Sequence, residues 1–131
     1  MTNLKVLYVE DDEMIRMAFG NFLTRRVGSL FTARDGREGL QAFIDCRPDL
    51  VVTDVCMPDM DGPQMATLIR NIRHSVPIVF LTGSPERMAE FEGFDPAIDR
   101  VLVKPVNFPA LFRLLEAYAD NLQVPSRQWE C

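Results

Sequence analysis

The chain has 131 residues, of which 47% are hydrophobic and 25% charged, values typical of one globular domain that exclude a disordered chain. Its 19 acidic residues against 14 Lys and Arg give a formal net charge of −5, and no basic run occurs, so we expect no direct nucleic-acid binding. The three cysteines, Cys46, Cys56 and Cys131, lack the spacing of a metal site and are expected to be reduced thiols.

Five short apolar runs divide the chain at regular intervals. They are rich in Val, Ile, Leu and aromatic residues, which is typical of strands buried on both faces of a parallel sheet. The runs cover residues 4–9, 30–33, 50–53, 78–81 and 101–103. The second run is the least apolar, and we expect it to form an edge strand.

Segments with helical periodicity lie between and after these runs. They cover residues 13–27, 37–44, 63–72, 85–94 and 108–122. Pro63 and Pro85 occupy the first turn of their segments, where helices accept proline, and Ser84 is a candidate N-cap. Five alternations of strand and helix predict an α/β fold of the (βα)₅ type, with a doubly wound sheet of five parallel strands in a single domain.

We expect residues 1–122 to form this domain, because no repeat or low-complexity tract interrupts them. Residues 123–131 are a polar tail with one Pro and one Trp. The tail is either a frayed terminus or the start of a linker to a further domain.

Polar residues follow four of the five predicted strands. They are Glu10, Asp11 and Asp12 after the first strand, Asp54 after the third, Thr82 after the fourth and Lys104 after the fifth. Ligands of open parallel sheets bind at the carboxyl ends of the strands, so we expect these side chains to converge there. Clustered carboxylates repel one another unless a cation joins them, and their oxygens suit Mg²⁺. The sequence therefore predicts a magnesium site at this edge.

Each of these residues, taken alone, has a plainer explanation. Asp12 fits a helix N-cap, Thr82 followed by Gly83 fits a turn, and Lys104 followed by Pro105 fits a solvated loop. The coincidence of polar residues at four strand ends favours a functional site.

Four strings of residues resemble the receiver domain of two-component response regulators. They are Val9-Glu10-Asp11-Asp12-Glu13, the run TDVCMPDMDG from Thr53 to Gly62, Leu81-Thr82-Gly83 and Val103-Lys104-Pro105. Their order and spacing also agree with that family, and the resemblance extends over residues 4–122. It implies a flavodoxin-like fold.

The resemblance further implies a phosphoryl switch and not a classical enzyme. Asp54 would be the phosphoacceptor, taking the phosphoryl group from a phosphohistidine of a histidine kinase or of a histidine phosphotransfer protein. Lys104 and a Mg²⁺ cofactor would neutralise charge on the transferred group. The domain would catalyse only its own phosphorylation and dephosphorylation.

The same resemblance implies a set of metal ligands. Asp11 would bind Mg²⁺ directly and Glu10 through water, while Asp54 and the backbone carbonyl of Cys56 would complete the protein ligands. Arg16, at the family's usual offset from the acid pair, supports the choice of Glu10 and Asp11 and leaves Asp12 as the N-cap. The thiol of Cys56 is not required, because Mg²⁺ prefers oxygen ligands.

Thr82 would be the switch residue, which hydrogen-bonds the phosphoryl group and pulls its loop inward. The family often has an aromatic residue three positions before the Lys, and this chain has Val101 there. Because valine has no comparable rotamer swing, we expect the output to use the loop after the fourth strand and the surface around the fourth and fifth predicted helices. Cys56 and Ser84 occupy two positions that tune the lifetime of the phosphoryl group in this family.

Three alternative functions would suit a chain of this predicted topology. A phosphatase of the haloacid-dehalogenase group would need a second Asp where Cys56 stands. A flavin-carrying domain would need a hydroxyl- and Gly-rich phosphate loop, whereas Glu10, Asp11 and Asp12 would repel phosphate. A receiver-fold interaction module that works without phosphorylation is the remaining alternative.

The expected location is the cytoplasm, because no stretch approaches the ~20 apolar residues that cross a bilayer and the first residues lack a signal-peptide pattern. His74 lies among polar residues and is expected on the surface. A homodimer is a further expectation, with a face formed by the fourth and fifth predicted helices. The candidate residues for that face are Phe91, Phe94, Phe112 and Arg113.

Overall fold

A computed structural model describes residues 2–123 of the chain. Its elements in order are β1 (Lys5–Val9), α1 (Glu13–Thr24), β2 (Ser29–Ala33), α2 (Gly36–Cys46), β3 (Leu50–Asp54), α3 (Gly62–Ile72), β4 (Ile78–Thr82), a 3₁₀ helix (Pro85–Glu90), β5 (Arg100–Val103) and α4 (Phe108–Gln123). The tail was predicted at 123–131; Gln123 is the last residue of α4, and residues 124–131, with Cys131, lie outside the described residues. None of the helices between residues 2 and 123 has the length and apolar character needed to cross a membrane.

All five strands form one parallel sheet in the order β2-β1-β3-β4-β5. The predicted α/β fold is confirmed, and β2 is an edge strand as expected. The strand order reverses between β1 and β3, whose registers pair Val9 with Thr53. Ligands of such sheets bind at this reversal, so the residues that follow β1 and β3 lie side by side where a site is expected.

Two apolar layers cover the two faces of the sheet. Leu7 and Val9 of β1 face the layer that contains Met65 of α3, whereas Val6 and Tyr8 face the opposite layer. All five residues of β3 and all five of β4 are buried. Burial on both faces explains why these strands read as continuous apolar runs in the sequence.

The fourth predicted helix is the largest departure from the sequence-based expectation. Residues 85–94 were expected to be helical, but the structure has only the six-residue 3₁₀ helix. Ser84 occupies the N-cap position of this helix, as predicted, but its side chain makes no capping hydrogen bond. The helix stops because Phe91 takes an extended backbone conformation, and Phe91 and Phe94 pack on Phe80 with ring centroids 5.8 and 6.1 Å apart.

A buried ion pair fixes the segment between the 3₁₀ helix and β5. The carboxylate of Asp99 is fully buried, pairs with the guanidinium of Arg70 and accepts hydrogen bonds from the backbone N–H groups of Ile78 (3.0 Å) and Asp95 (2.9 Å). These three donors offset the free-energy cost of burying the Asp99 charge. The network joins α3, β4 and β5 at the end of the sheet opposite the acidic residues.

Candidate functional site

The structure brings the predicted acidic residues together at the carboxyl edge of the sheet. Glu10 and Asp11 follow β1, Asp54 ends β3, and one carboxylate oxygen from each lies within 4.8 Å of the others. Glu10 and Asp54 are 2% and 5% exposed, while Asp11 is exposed to solvent. Three carboxylates this close repel one another unless a cation or a proton intervenes.

Asp12 is the N-cap of α1, as predicted. Its side chain accepts a hydrogen bond from the backbone N–H of Ile15 at 3.0 Å. The guanidinium of Arg16, one turn into the helix, donates to the backbone carbonyl of Glu10 at 2.9 Å. The first turn of α1 therefore fixes the backbone at Glu10. The side chain of Asp12 caps the helix and is not part of the acidic cluster.

Lys104 supplies the positive charge of the site. Its ammonium group forms an ion pair with Oδ1 of Asp54, and its backbone N–H donates to the carbonyl of Thr82 at 2.8 Å. Burial opposes the charged form of Lys104, but the hydrogen bond and charge of Asp54, with the charges of Glu10 and Asp11, outweigh burial and raise its pKa. Lys104 is therefore cationic beside the Asp54 carboxylate.

Glu10 is the member of the cluster whose negative charge is least favourable. Burial raises its pKa to about 7; the hydrogen bond from the Asp12 N–H to Oε2 (3.1 Å) opposes this, and the charge of Asp54 adds to it. Its other oxygen, Oε1, is buried and has no hydrogen-bond partner among the described residues. Such oxygens indicate a missing proton, water or ion, and an all-oxygen donor set favours a hard cation such as Mg²⁺. The residues present therefore fit the magnesium site predicted from the sequence.

The loop after β3 turns sharply because of its glycine and its cap. Gly62 lies so close to β3 that a Cβ there would be 2.4 Å from the carbonyl oxygen of Asp54. Asp61 caps α3 through a reciprocal pair of hydrogen bonds with Gln64 (2.8 and 3.0 Å), and Asp59 has a left-handed φ of 66°. These features return the chain against β3 and keep residues 55–61 beside Asp54.

The surface beside this loop contains a residue that the sequence did not single out. A groove of about 720 Å³ is lined by Val55, Cys56, Met57, Pro58, Asp61, Pro63, Arg87 and Glu90. In it, the guanidinium of Arg87 contacts the exposed thiol of Cys56 at 3.3 Å. No pattern signalled this contact, because Arg87 lies 31 positions from Cys56 in the chain.

Thr82 ends β4 and is buried, and its hydroxyl is coupled to the loop that follows. Its Oγ1 accepts a hydrogen bond from the backbone N–H of Ser84 at 2.9 Å. Val101, at the position where the resemblance implies an aromatic residue, is half-buried and packs against the same core layer as Phe91 and Phe94.

The surface predictions have mixed outcomes. His74 is exposed, as predicted. Phe91, Phe94 and Phe112, proposed for a dimer face, are each half-buried and packed within the chain, the last of them under the guanidinium of Arg26 at 4.6 Å. The dimer stays a prediction.

Comparison with known proteins gives a consistent result. The profile of the response regulator receiver domain matches residues 6–116. The chain is 37% identical over 101 residues to the transcriptional regulatory protein AfsQ1 of Streptomyces coelicolor, covering 77% of this chain and 44% of that protein. It is 34% identical over 114 residues to the transcriptional regulatory protein RprY of Bacteroides fragilis, covering 87% and 48%. The chain thus spans about half the length of these curated relatives.

Solved structures agree with the sequence relatives. The chemotaxis protein CheY4 of Vibrio cholerae superposes with a TM-score of 0.76 at 33% identity, covering 88% of this chain and 98% of that one. The signal receiver domain of an HD domain-containing protein from Pseudomonas fluorescens Pf-5 gives a TM-score of 0.82 at 26% identity, covering 92% and 98%.

Proposed function

This chain belongs to the receiver-domain family of two-component response regulators, and we propose that it acts as a phosphorylation switch with Asp54 as the phosphoacceptor. The observation that carries the proposal is the position of the Asp54 carboxylate, paired with Lys104 and adjacent to two further acids at the strand-order reversal. A pair of this kind supplies both a nucleophile and a fixed positive charge. The family is regulatory, and the only reaction proposed for the chain is transfer to and from its own Asp54.

In the proposed transfer, an oxygen of Asp54 attacks the phosphorus of a phosphohistidine on a kinase or phosphotransfer protein. An O–P bond forms, the N–P bond breaks, and the electron pair of that bond returns to the imidazole. Lys104 remains protonated and neutralises charge on the phosphoryl oxygens as they approach. The step needs no general base, because a carboxylate nucleophile has no proton to lose.

We propose Mg²⁺ as the cofactor, held by Asp11 directly, by Glu10 through water, and by Asp54 and the backbone carbonyl of Cys56. The cation would supply charge neutralisation for the crowded carboxylates and the phosphoryl group. Support comes from the cluster of three carboxylate oxygens and the unpartnered Oε1 of Glu10. Asp12 has no part in this set, since its side chain caps α1.

The proposed switch runs from Thr82 to the 3₁₀ helix. When the Thr82 hydroxyl donates to a phosphoryl oxygen, its accepted hydrogen bond from the Ser84 N–H draws the next loop with it. Ser84 directly precedes the 3₁₀ helix, so the output surface is the face around that helix and α4. Val101 takes no part through a rotamer swing, and Cys56 and Ser84 influence how long the phosphoryl group persists.

The proposed partners are a histidine kinase or histidine phosphotransfer protein as donor and, for output, either a partner protein or a further domain in a longer chain. Relatives that are named transcriptional regulators are about twice the length matched here. We therefore propose residues 1–122 as a receiver domain and 123–131 as a tail or the start of a linker. Homodimerisation, a cytoplasmic location and the absence of direct nucleic-acid contact by this domain belong to the same proposal.

Intact mass after incubation with a small phosphodonor tests the proposal. The wild type with Mg²⁺ should gain one phosphoryl group, whereas Asp54→Asn, or the wild type with EDTA present from the start, should gain none. Failure of the wild type with every donor would instead favour a receiver-fold interaction module that works without phosphorylation.

A further inference from the structure

Two buried polar atoms, one in β1 and one directly after it, have no hydrogen-bond partner among residues 2–123. Tyr8 is completely buried, and its hydroxyl makes no hydrogen bond to any of the residues between 2 and 123. The same holds for Oε1 of Glu10, whose side chain is 2% exposed. Glu10 follows β1 and continues its hydrogen bonding with β2, because its backbone N–H donates to the carbonyl of Ala33 at 3.0 Å. Residues i and i+2 of such an extended segment project to the same side of the sheet, so the side chains of Tyr8 and Glu10 are neighbours.

The surroundings of Tyr8 offer its hydroxyl few partners other than the acidic cluster. Its ring packs on Phe19 of α1, with centroids 4.8 Å apart, in a layer made of aliphatic and aromatic residues. Packing on Phe19 fixes the ring. Burial raises the pKa of the Tyr8 hydroxyl, and the charges of Glu10 and Asp54 raise it further.

Buried donors and acceptors in folded proteins are almost always paired, and two unpaired ones on neighbouring side chains can satisfy each other. A tyrosine O–H is a donor, and a carboxylate oxygen is an acceptor. The last side-chain torsion of Glu10 is a soft one, so its carboxylate can turn toward such a donor.

We propose that Tyr8 is a positioning residue of the metal site, whose hydroxyl donates a hydrogen bond to Oε1 of Glu10 and holds that carboxylate toward the cation. This inference rests on the proposed function, because it assigns Glu10 to Mg²⁺. Residues that orient metal ligands typically change metal affinity 10–100-fold when they are altered. Tyr8 thus contributes to the switch from inside the core, without touching solvent.

The test is Mg²⁺ affinity, measured by backbone amide shifts in a titration with Mg²⁺ alone. Tyr8→Phe removes one oxygen and keeps the ring on Phe19, and we expect it to weaken Mg²⁺ binding by about tenfold. The matched control is Tyr118→Phe, which alters the only other tyrosine and removes its hydrogen bond to the carbonyl of Ile98 (2.7 Å). We expect this control to lose stability but to bind Mg²⁺ as the wild type does.

A double-mutant cycle separates a bond to Glu10 from a general effect on the core. On a Glu10→Ala background, which leaves no acceptor for the Tyr8 hydroxyl, Tyr8→Phe should have little further effect on Mg²⁺ affinity if the two side chains act as one unit. Fully additive effects of the two substitutions on Mg²⁺ affinity would overturn the inference. So would a Tyr8→Phe variant that binds Mg²⁺ as the wild type does and unfolds at higher temperature, because the hydroxyl would then have no role in the site. No Mg²⁺ binding by the wild type would overturn the proposed metal site as well, so the two failures are distinct.

Discussion

The pH dependence of stability should reveal the unfavourable charge of Glu10 in the metal-free protein. Burial raises the pKa of this carboxyl from 4.5 to about 7 in the folded state. Between these two pKa values the folded chain holds a proton that the unfolded chain has released. The free energy of unfolding therefore falls as the pH rises, and the loss is complete above about pH 7. A difference of about 2.5 pH units corresponds to about 3 kcal/mol of unfolding free energy.

Glu10→Gln isolates this effect, because the amide stays neutral at every pH while other carboxyls titrate in both proteins. In EDTA, the stability gained by Glu10→Gln should be near zero at about pH 4 and should rise to about 3 kcal/mol at about pH 8. Urea unfolding of both proteins at the two pH values measures the difference. Saturating Mg²⁺ should return most of the lost stability to the wild type at the higher pH and little to Glu10→Gln. A stability difference that does not change with pH would refute the reasoning.

Three further predictions concern charge and packing. Lys104→Met should slow phosphorylation by a small phosphodonor roughly 100-fold, as measured by intact mass against time, because it removes the fixed charge beside Asp54; an unchanged rate would exclude that role. Asp99→Ala should cost about 3–5 kcal/mol in urea unfolding by leaving a buried guanidinium unpaired. Its control is Arg34→Ala, in an exposed pair, which should cost below about 1 kcal/mol, and equal costs would contradict the distinction. Gly62→Ala should destabilise the protein by about 2 kcal/mol, because its Cβ would meet the Asp54 carbonyl oxygen at 2.4 Å. A Cβ added at Gly83 would have no atom within 4 Å, so Gly83→Ala should stay within about 0.5 kcal/mol of the wild type in the same assay. Similar losses of stability in both variants would contradict the close approach at Gly62.

The strands and their burial in the sheet could be predicted, because the signal for both lies in the local sequence. Strands β3 and β4 are buried on both faces and therefore appear as unbroken apolar runs. The acidic cluster followed from the same pattern, since the carboxyl ends of parallel strands meet at one edge. Asp12 could be assigned as a cap because its contact, with Ile15, lies within one helical turn.

The misses have a different physical origin, which is contact between residues that are distant in sequence. Residues 85–94 have apolar spacing suited to a helix, but Phe91 and Phe94 gain more by packing on Phe80, which ends the helix early. The contact between Arg87 and Cys56 could not be read from either residue's neighbours. Tyr8 reads as one more apolar strand residue, and only its burial next to Glu10 gives its hydroxyl a role.

The most direct test of the central claim is to locate the phosphoryl group on the chain. Borohydride reduces an acyl phosphate of aspartate to homoserine, so peptide mapping after phosphorylation and reduction identifies the residue that carried it. We expect the conversion at Asp54 alone, with Mg²⁺ present, and no conversion in Asp54→Asn. Conversion at Asp11 or at Asp12, or a stable phosphoryl group on His74, would contradict the assignment of Asp54 as the phosphoacceptor.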